Sequence, residues 1–294
     1  MHHHRQVLRN LQGVGFKESG AYMPLRRETA ARMRAFPYVA PADGTAPFAY
    51  GDATVYSSGQ MDTPHHMLRD NPRMKAVFAV RDPVQRLLSH HRFVRRYAAQ
   101  DVNVLVARVL GSGGSGAALG QLRALVTQAL AAAADSAARR AALGAAVESY
   151  YHGLRARGVG AGLHTGEGSL ITWSLYALPV HHFMAVLGRG NVLVMQSERL
   201  AHTMNHNHGE AAWANITGRR EATSTTEVEA QFNRLYAFLG LCALDKTKRG
   251  FEYKSKDNVA PAHRLNRSMD ARLRVFFEPF NRLLDELVGE AFGY

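Results

Sequence analysis

The chain has 294 residues, 46% of them hydrophobic, enough for one large α/β domain with a substantial core. Its 36 lysines and arginines outnumber 24 acidic residues, and the formal charge of +12 favours a polyanionic partner or cofactor such as nucleic acid, a sulfated or carboxylated glycan, or a nucleotide. Cys242 is the single cysteine, which excludes an intramolecular disulfide; no run of about 18 apolar residues offers a membrane span, and MHHHRQVLRNL lacks a signal peptide's apolar region, so the chain as given is expected to be soluble.

In chain order, residues 1–12 read as the tail of a helix carrying Val7, Leu8 and Leu11, 13–23 as a loop, and 25–36 as a short amphipathic helix. Residues 37–47, rich in Pro, Gly and Asp, form a connection, and 48–53 a brief strand-like piece with Asp52 near its end. Helix is expected over 64–69. Ala76 to Val80 is a short apolar run with β-branched and aromatic members, so it predicts an interior strand ending at Arg81. The period then changes: Asp82 suits an N-cap, Pro83 the first helical position, and Gln85 completes a capping box, which sets Ser89 two turns into the helix. Ligands collect at the carboxyl ends of strands in open α/β sheets, where helix N-termini offer unpaired N–H groups and partial positive charge. Arg81 adds a bidentate fork and Ser89 a hydroxyl, a combination suited to phosphate. On local pattern alone, an ordinary β–α junction with a surface arginine fits these residues equally well.

An Ala/Gly-rich stretch follows at about 98–150, with GSGGSG at 111–116, and reads as an insertion, part linker and part exposed helix. Residues 169–187 predict a helix interrupted near Pro179, 191–196 a second interior strand leading into Ser197-Glu198-Arg199-Leu200, and 227–239 a helix with a Val228, Phe232, Leu235, Tyr236, Leu239 face closed by Gly240. The last helix is expected to start at Asp270, to kink or break at Pro279, and to run on to Gly289. Strands alternating with helices point to an α/β fold with a central parallel sheet flanked by helices, in one domain spanning 1–294.

Arg81-Asp82-Pro83, followed by Arg86 and Ser89, resembles the 3′-phosphate-binding motif of sulfotransferases that use 3′-phosphoadenosine 5′-phosphosulfate (PAPS), with Arg81 and Ser89 at the phosphate-contacting positions. Tyr50-Gly51-Asp52-Ala53-Thr54-Val55-Tyr56 resembles the same family's catalytic-base motif, with Asp52 in the acidic place. Asn191 to Leu200 resembles its strand and Ser-Glu turn, and Glu227 to Gly240 the helix before its C-terminal substrate loop. Lys246-Thr247-Lys248-Arg249-Gly250-Phe251 resembles an element of heparan sulfate sulfotransferases, and Phe277 to Asn281 with Glu286 to Gly289 their closing helix. The matches run in family order over about 50–290.

The resemblance implies a P-loop-NTPase-like sulfotransferase fold. It implies PAPS as co-substrate with no metal, and a carbohydrate acceptor of glycosaminoglycan type that receives a sulfuryl group on a hydroxyl or amine. Asp52 would be the base; Arg81 and Ser89 would hold the 3′-phosphate, and Lys254, Arg264 and Arg267 would close over the cofactor, Arg264 aligning best with the family's loop arginine. A solvated basic loop is the other reading of those last three residues. The Golgi, as lumen or membrane, is the family's compartment, with its anchor absent from this chain. Three departures stand out. The 5′-phosphosulfate loop and first strand are expected to be missing ahead of residue 1, so the chain looks truncated; GVGFKESG at 13–20 matches that loop only superficially. Aspartate replaces glutamate at 52. The paired cysteines and Ser-Lys-Gly-Arg of the cofactor loop are also lacking.

His202, His206 and His208 suit surface positions better than a metal site, no third ligand having sensible spacing. Of His90 and His91, one is expected to face the cofactor cleft and the other solvent, while Trp173, Tyr176 and Phe183 read as core. Two other classes stay open: a basic polyanion- or nucleic-acid-binding protein, and an inactive sulfotransferase-fold fragment.

Overall fold

In the computed structural model, residues 60–111, 114–154, 167–201, 225–240 and 264–294 are described. In chain order they form α1 (Thr63–Asp70), β1 (Ala76–Val80), α2 (Pro83–Phe93), α3 (Arg95–Ala98), α4 (Val102–Leu110), α5 (Gly114–Ala131), α6 (Ala137–Leu154), α7 (Ser169–Thr172), α8 (Ala177–Leu187), a 3-10 turn (Arg189–Asn191), β2 (Val192–Gln196), α9 (Ser197–Ala201), α10 (Thr225–Leu239) and α11 (Arg267–Val288). The protein is mixed α/β and mostly helical, and among the described residues its sheet is a parallel pair, β1 with β2. Parallel neighbours need a long crossover, and here the helices between β1 and β2 supply it. No described helix is long and apolar enough to cross a membrane.

The chain divides into two compact units, one of residues 1–77 with 186–254, the other of 78–185 with 255–294. In the first, every residue of β2 is buried, whereas β1 opens with buried Ala76 followed by exposed Val77. α10 packs against β2 and α9, and ends at Gly240, whose φ of 74° is a conformation that glycine adopts without strain. Lys75 lies over the Phe238 ring at 5.0 Å and donates to the Phe238 carbonyl.

The second unit is built on α11, which packs against α2, α4 and α5 and buries Leu273, Phe276, Phe277, Phe280, Leu283 and Leu284. It departs from the sequence reading at both its start and its middle. Asn266 caps it, the side chain accepting from Met269 N at 2.8 Å, so the helix begins at Arg267 rather than Asp270. It continues through Pro279, whose ring is buried. The proline removes one backbone bond, to the carbonyl of exposed Val275, and the apolar stripe on both sides outweighs that loss.

The stretch read as linker and exposed helix is core. α5 and α6 form a helical hairpin against each other, and α4, α5 and α6 bury Val102, Leu105, Val106, Leu122, Val126, Val147 and Tyr151. Alanine-rich composition hid this, because small side chains let helices approach closely while a sparse stripe of Leu, Val and Tyr fills the seam. Gly116 comes close to Gly111: a Cβ on Gly116 would fall 1.8 Å from the Gly111 carbonyl oxygen. The predicted helix over 169–187 is two helices, and the break lies at 173–176 rather than at Pro179. Pro179 falls in the first turn of α8, where its missing N–H costs no intrahelical bond.

Phe277 is 1% exposed at the centre of this core. Phe277→Ala should lower unfolding stability by about 3–5 kcal/mol, measured as a fall in the urea midpoint with the slope unchanged.

Candidate functional site

The site begins where β1 hands the chain to α2. Arg81 is half-buried at the strand's carboxyl end, and Asp82, at φ −44° and ψ 119°, stands outside the helix as its cap. Its Oδ1 accepts from Val84 N at 2.8 Å and Gln85 N at 3.1 Å, and its backbone carbonyl accepts from Arg86 N at 2.8 Å. Pro83 takes the first helical position, and its carbonyl accepts from the buried Ser174 hydroxyl at 3.1 Å, fastening the helix start to the α7–α8 corner. Cap and proline thus stand as the sequence predicts, and the strand keeps its bounds. Two expectations need correction: β1 alternates buried and exposed residues rather than lying in the interior, and the amides of Val84 and Gln85 are not open to a ligand, because the Asp82 carboxylate already occupies them.

The other oxygen of Asp82 faces Arg274 of α11 at 3.5 Å, and Arg274 also bonds Asp270 one turn back at 2.9 Å. Burial works against the Arg274 charge, but the hydrogen bond to Asp270 and the field of Asp82 more than offset it and raise its pKa. An anion arriving at this corner therefore meets a cap that is already neutralised by an arginine. Beside that cap stand the half-buried Arg81 side chain and the exposed Ser89.

Ser89 lies seven residues past the cap, two turns on and about 10 Å along the axis. It is exposed, and its hydroxyl makes no hydrogen bond to another described residue. The 3′-phosphate residues named by the resemblance are thus one half-buried arginine and one exposed hydroxyl on a single strand–helix unit. They fit a phosphate approached from solvent.

Arg86, three residues before Ser89, turns inward. One terminal nitrogen donates to Nδ1 of His90 at 3.0 Å, and the other lies 3.5 Å from the carbonyl oxygens of both Ser169 and Leu170. The guanidinium sits 5.6 Å from the centre of the Trp173 ring, with Tyr150 and Tyr176 nearby. Burial lowers its pKa to about 10, and no carboxylate pairs with it among the described residues. Burial also pushes the Tyr150 phenol up, so this neighbour stays neutral and supplies no counter-charge.

His90 and His91 are both buried, which corrects the expectation that one faces a cleft and the other solvent. They follow Arg86 and Leu87 by one turn and so share the inward face; His91 Nε2 donates to the Gln100 carbonyl at 3.1 Å, and the His90 ring stacks on Tyr97 at 6.0 Å. Phe183 is buried against the edge of Phe78 at 5.1 Å, whereas Trp173 and Tyr176 are half-buried.

Arg264 and Arg267 are exposed. Their segment is pinned by Asn103 of α4, whose amide donates to the Arg264 carbonyl at 3.3 Å and accepts from Asn266 N at 2.8 Å. Arg267 opens α11 two turns, about 10 Å, ahead of Arg274. Arg274 is therefore the α11 arginine that meets the Arg-Asp-Pro corner, and sequence reasoning overlooked it. Its signal was the Asp270–Arg274 spacing of four on a helical face. Asp52, Lys254, the Lys246–Phe251 element and the histidines at 202, 206 and 208 lie outside the described residues.

Comparison of the whole chain with protein-family models and with curated proteins finds no match.

Replacing the cap tests the corner directly. Asp82→Ala should cost about 1 kcal/mol of stability from the freed amides of Val84 and Gln85, while Asp82→Asn should retain most of it, read as urea midpoints of the two variants.

Proposed function

We propose that the chain is a PAPS-dependent sulfotransferase with a P-loop-NTPase-like sulfotransferase fold. It would transfer a sulfuryl group to a hydroxyl or amine of a carbohydrate, with a glycosaminoglycan-type acceptor in the Golgi as the family's setting. The observation that carries this reading is the strand–Arg81–capped helix–Ser89 unit, in which cap and proline stand in the motif's order with a half-buried arginine and an exposed serine beside them. PAPS supplies the sulfuryl donor and leaves as 3′-phosphoadenosine 5′-phosphate.

Transfer forms a bond from the acceptor's oxygen or nitrogen to sulfur and breaks the bond from sulfur to the phosphate oxygen, while the acceptor's proton must go to a base. Catalysis is then chiefly positioning and electrostatics, as in phosphoryl transfer. Arg81 binds the 3′-phosphate as a bidentate cation and Ser89 donates its hydroxyl to the same group. Asp52 takes the acceptor proton, its side chain one methylene shorter than the family's glutamate. Lys254, Arg264 and Arg267 supply positive charge over the nucleotide, and exposed Arg264 and Arg267 are accessible for that role. The net charge of +12 favours a polyanion binder as the second reading.

Calorimetry with 3′-phosphoadenosine 5′-phosphate separates the two. The proposal expects saturable binding that weakens about tenfold in Ser89→Ala and more in Arg81→Ala, the loss of charge-assisted hydrogen bonds. Absence of heat from the wild-type chain, together with steeply salt-dependent DNA binding, would establish the polyanion binder instead. Nucleotide binding without transfer of labelled sulfate to heparan-type glycans would mark an inactive chain.

A further inference from the structure

We propose that Arg86 is a positioning residue that fixes the rotation of α2 and thereby aims Ser89 at the phosphate. This rests on the nucleotide reading above. Arg86 is close to the motif's phosphate contacts in sequence, yet it faces away from solvent, toward the Ser169 and Leu170 carbonyls, His90 and Trp173.

A half-buried cation with no carboxylate partner among the described residues is a poor way simply to glue a helix down. An apolar side chain of similar volume would pack there at lower desolvation cost. Directional donors do what an apolar group cannot, since they tie a helix to particular atoms. Here one guanidinium spans two elements, reaching the α7 carbonyls and a ring on its own helix. Ser89 follows Arg86 by three residues, or 300° around the helix, so it stands about 60° from Arg86 on the helical wheel and one turn on. Any roll of α2 that relaxes the Arg86 contacts swings the Ser89 hydroxyl by the same angle. The Ser174–Pro83 bond holds the start of the helix but lies at its axis end, where it resists roll weakly.

The arrangement has a spectroscopic signature. A guanidinium has no acceptor, so Arg86 must donate and Nδ1 of His90 must carry the lone pair, which leaves the proton on Nε2. His90 is therefore neutral, in one tautomer, while Arg86 is in place.

The test uses the full chain, with Arg86→Met and Arg86→Lys. Nucleotide affinity is read by calorimetry with 3′-phosphoadenosine 5′-phosphate, the His90 tautomer by long-range proton–nitrogen NMR of the ring, and folding by a thermal melt. Wild type should show the Nε2-protonated ring. Arg86→Met should remain folded, lose the single tautomer, and bind the nucleotide about tenfold more weakly. Arg86→Lys, which keeps one donor and the charge but not the fork, should fall between. Wild-type affinity in folded Arg86→Met, or in Arg86→Lys should the methionine variant not fold, would overturn the role of Arg86 while leaving the nucleotide reading intact. So would an Nδ1-protonated His90 in the wild type. A wild-type chain that gives no heat with the nucleotide overturns the nucleotide reading itself, and the positioning role with it.

Discussion

The carboxylate of Asp82 holds the β1–α2 corner together. One oxygen closes the first turn of α2 through the amides of Val84 and Gln85, and the other meets Arg274 of α11. Without the first contact α2 would begin with orphan donors at a half-buried position; without the second, the corner would present net negative charge to an anion. The two together convert a helix N-terminus from an anion receptor into a rigid, charge-balanced shelf. On the proposed reading, affinity for phosphate would fall to side chains, Arg81 from the strand and Ser89 from the helix, rather than to the backbone.

That shelf depends in turn on α11. The helix packs on α2, α4 and α5, and its buried stripe of Leu273, Phe276, Phe277 and Phe280 brackets the level at which Arg274 emerges. Arg139 of α6 pairs with Glu286 near its far end, so the Ala-rich hairpin is fastened to the same helix. A chain with one cysteine has no disulfide to staple such an assembly and relies on core continuity.

What the sequence disclosed and what it concealed follow from the range of the interactions involved. The Ala76–Val80 strand, the Asp82 cap, Pro83 at the first helical position and the Gly289 terminator are set by neighbours within a few residues, and all can be read locally. The burial of α4, α5 and α6 is not of that kind. Alanine carries little apolar signal, and it takes packing against α4, α6 and α11 to make the sparse Leu122 and Val126 stripe a core face. His90 and His91 look polar, yet their one-turn spacing from Arg86 and Leu87 turns them inward, where Arg86 and the Gln100 carbonyl satisfy a ring nitrogen of each. Arg274 was hidden for a related reason, since its partner Asp82 is 192 positions away in sequence (274 − 82). The 173–176 break came too early for proline to announce it, and Ser174, whose hydroxyl leaves for the Pro83 carbonyl, is part of that corner.

The excess of positive charge divides along the same lines. Several arginines are spent on the fold: Arg108 on Glu167, Arg282 on Glu278, Arg274 on Asp82 and Asp270. These mostly exposed pairs contribute little stability, and they cancel charge that would otherwise face a partner. Arg86 keeps its charge but is turned away from solvent, so it cannot attract a polyanion from a distance. The cations left outward in this unit include Arg264 and Arg267, which enter no ion pair among the described residues, and they stand on a segment held to α4 by the Asn103 amide. A surface for indiscriminate polyanion binding would be expected to spread unpaired lysines and arginines over one face on flexible stems. Among the described residues, Arg264 and Arg267 stand exposed on an anchored segment, while Arg81 is half-buried beside a neutralised cap and exposed Ser89. On the proposed reading, that arrangement would meet a ligand with a few localised charges at fixed spacing, and a nucleotide bisphosphate is such a ligand.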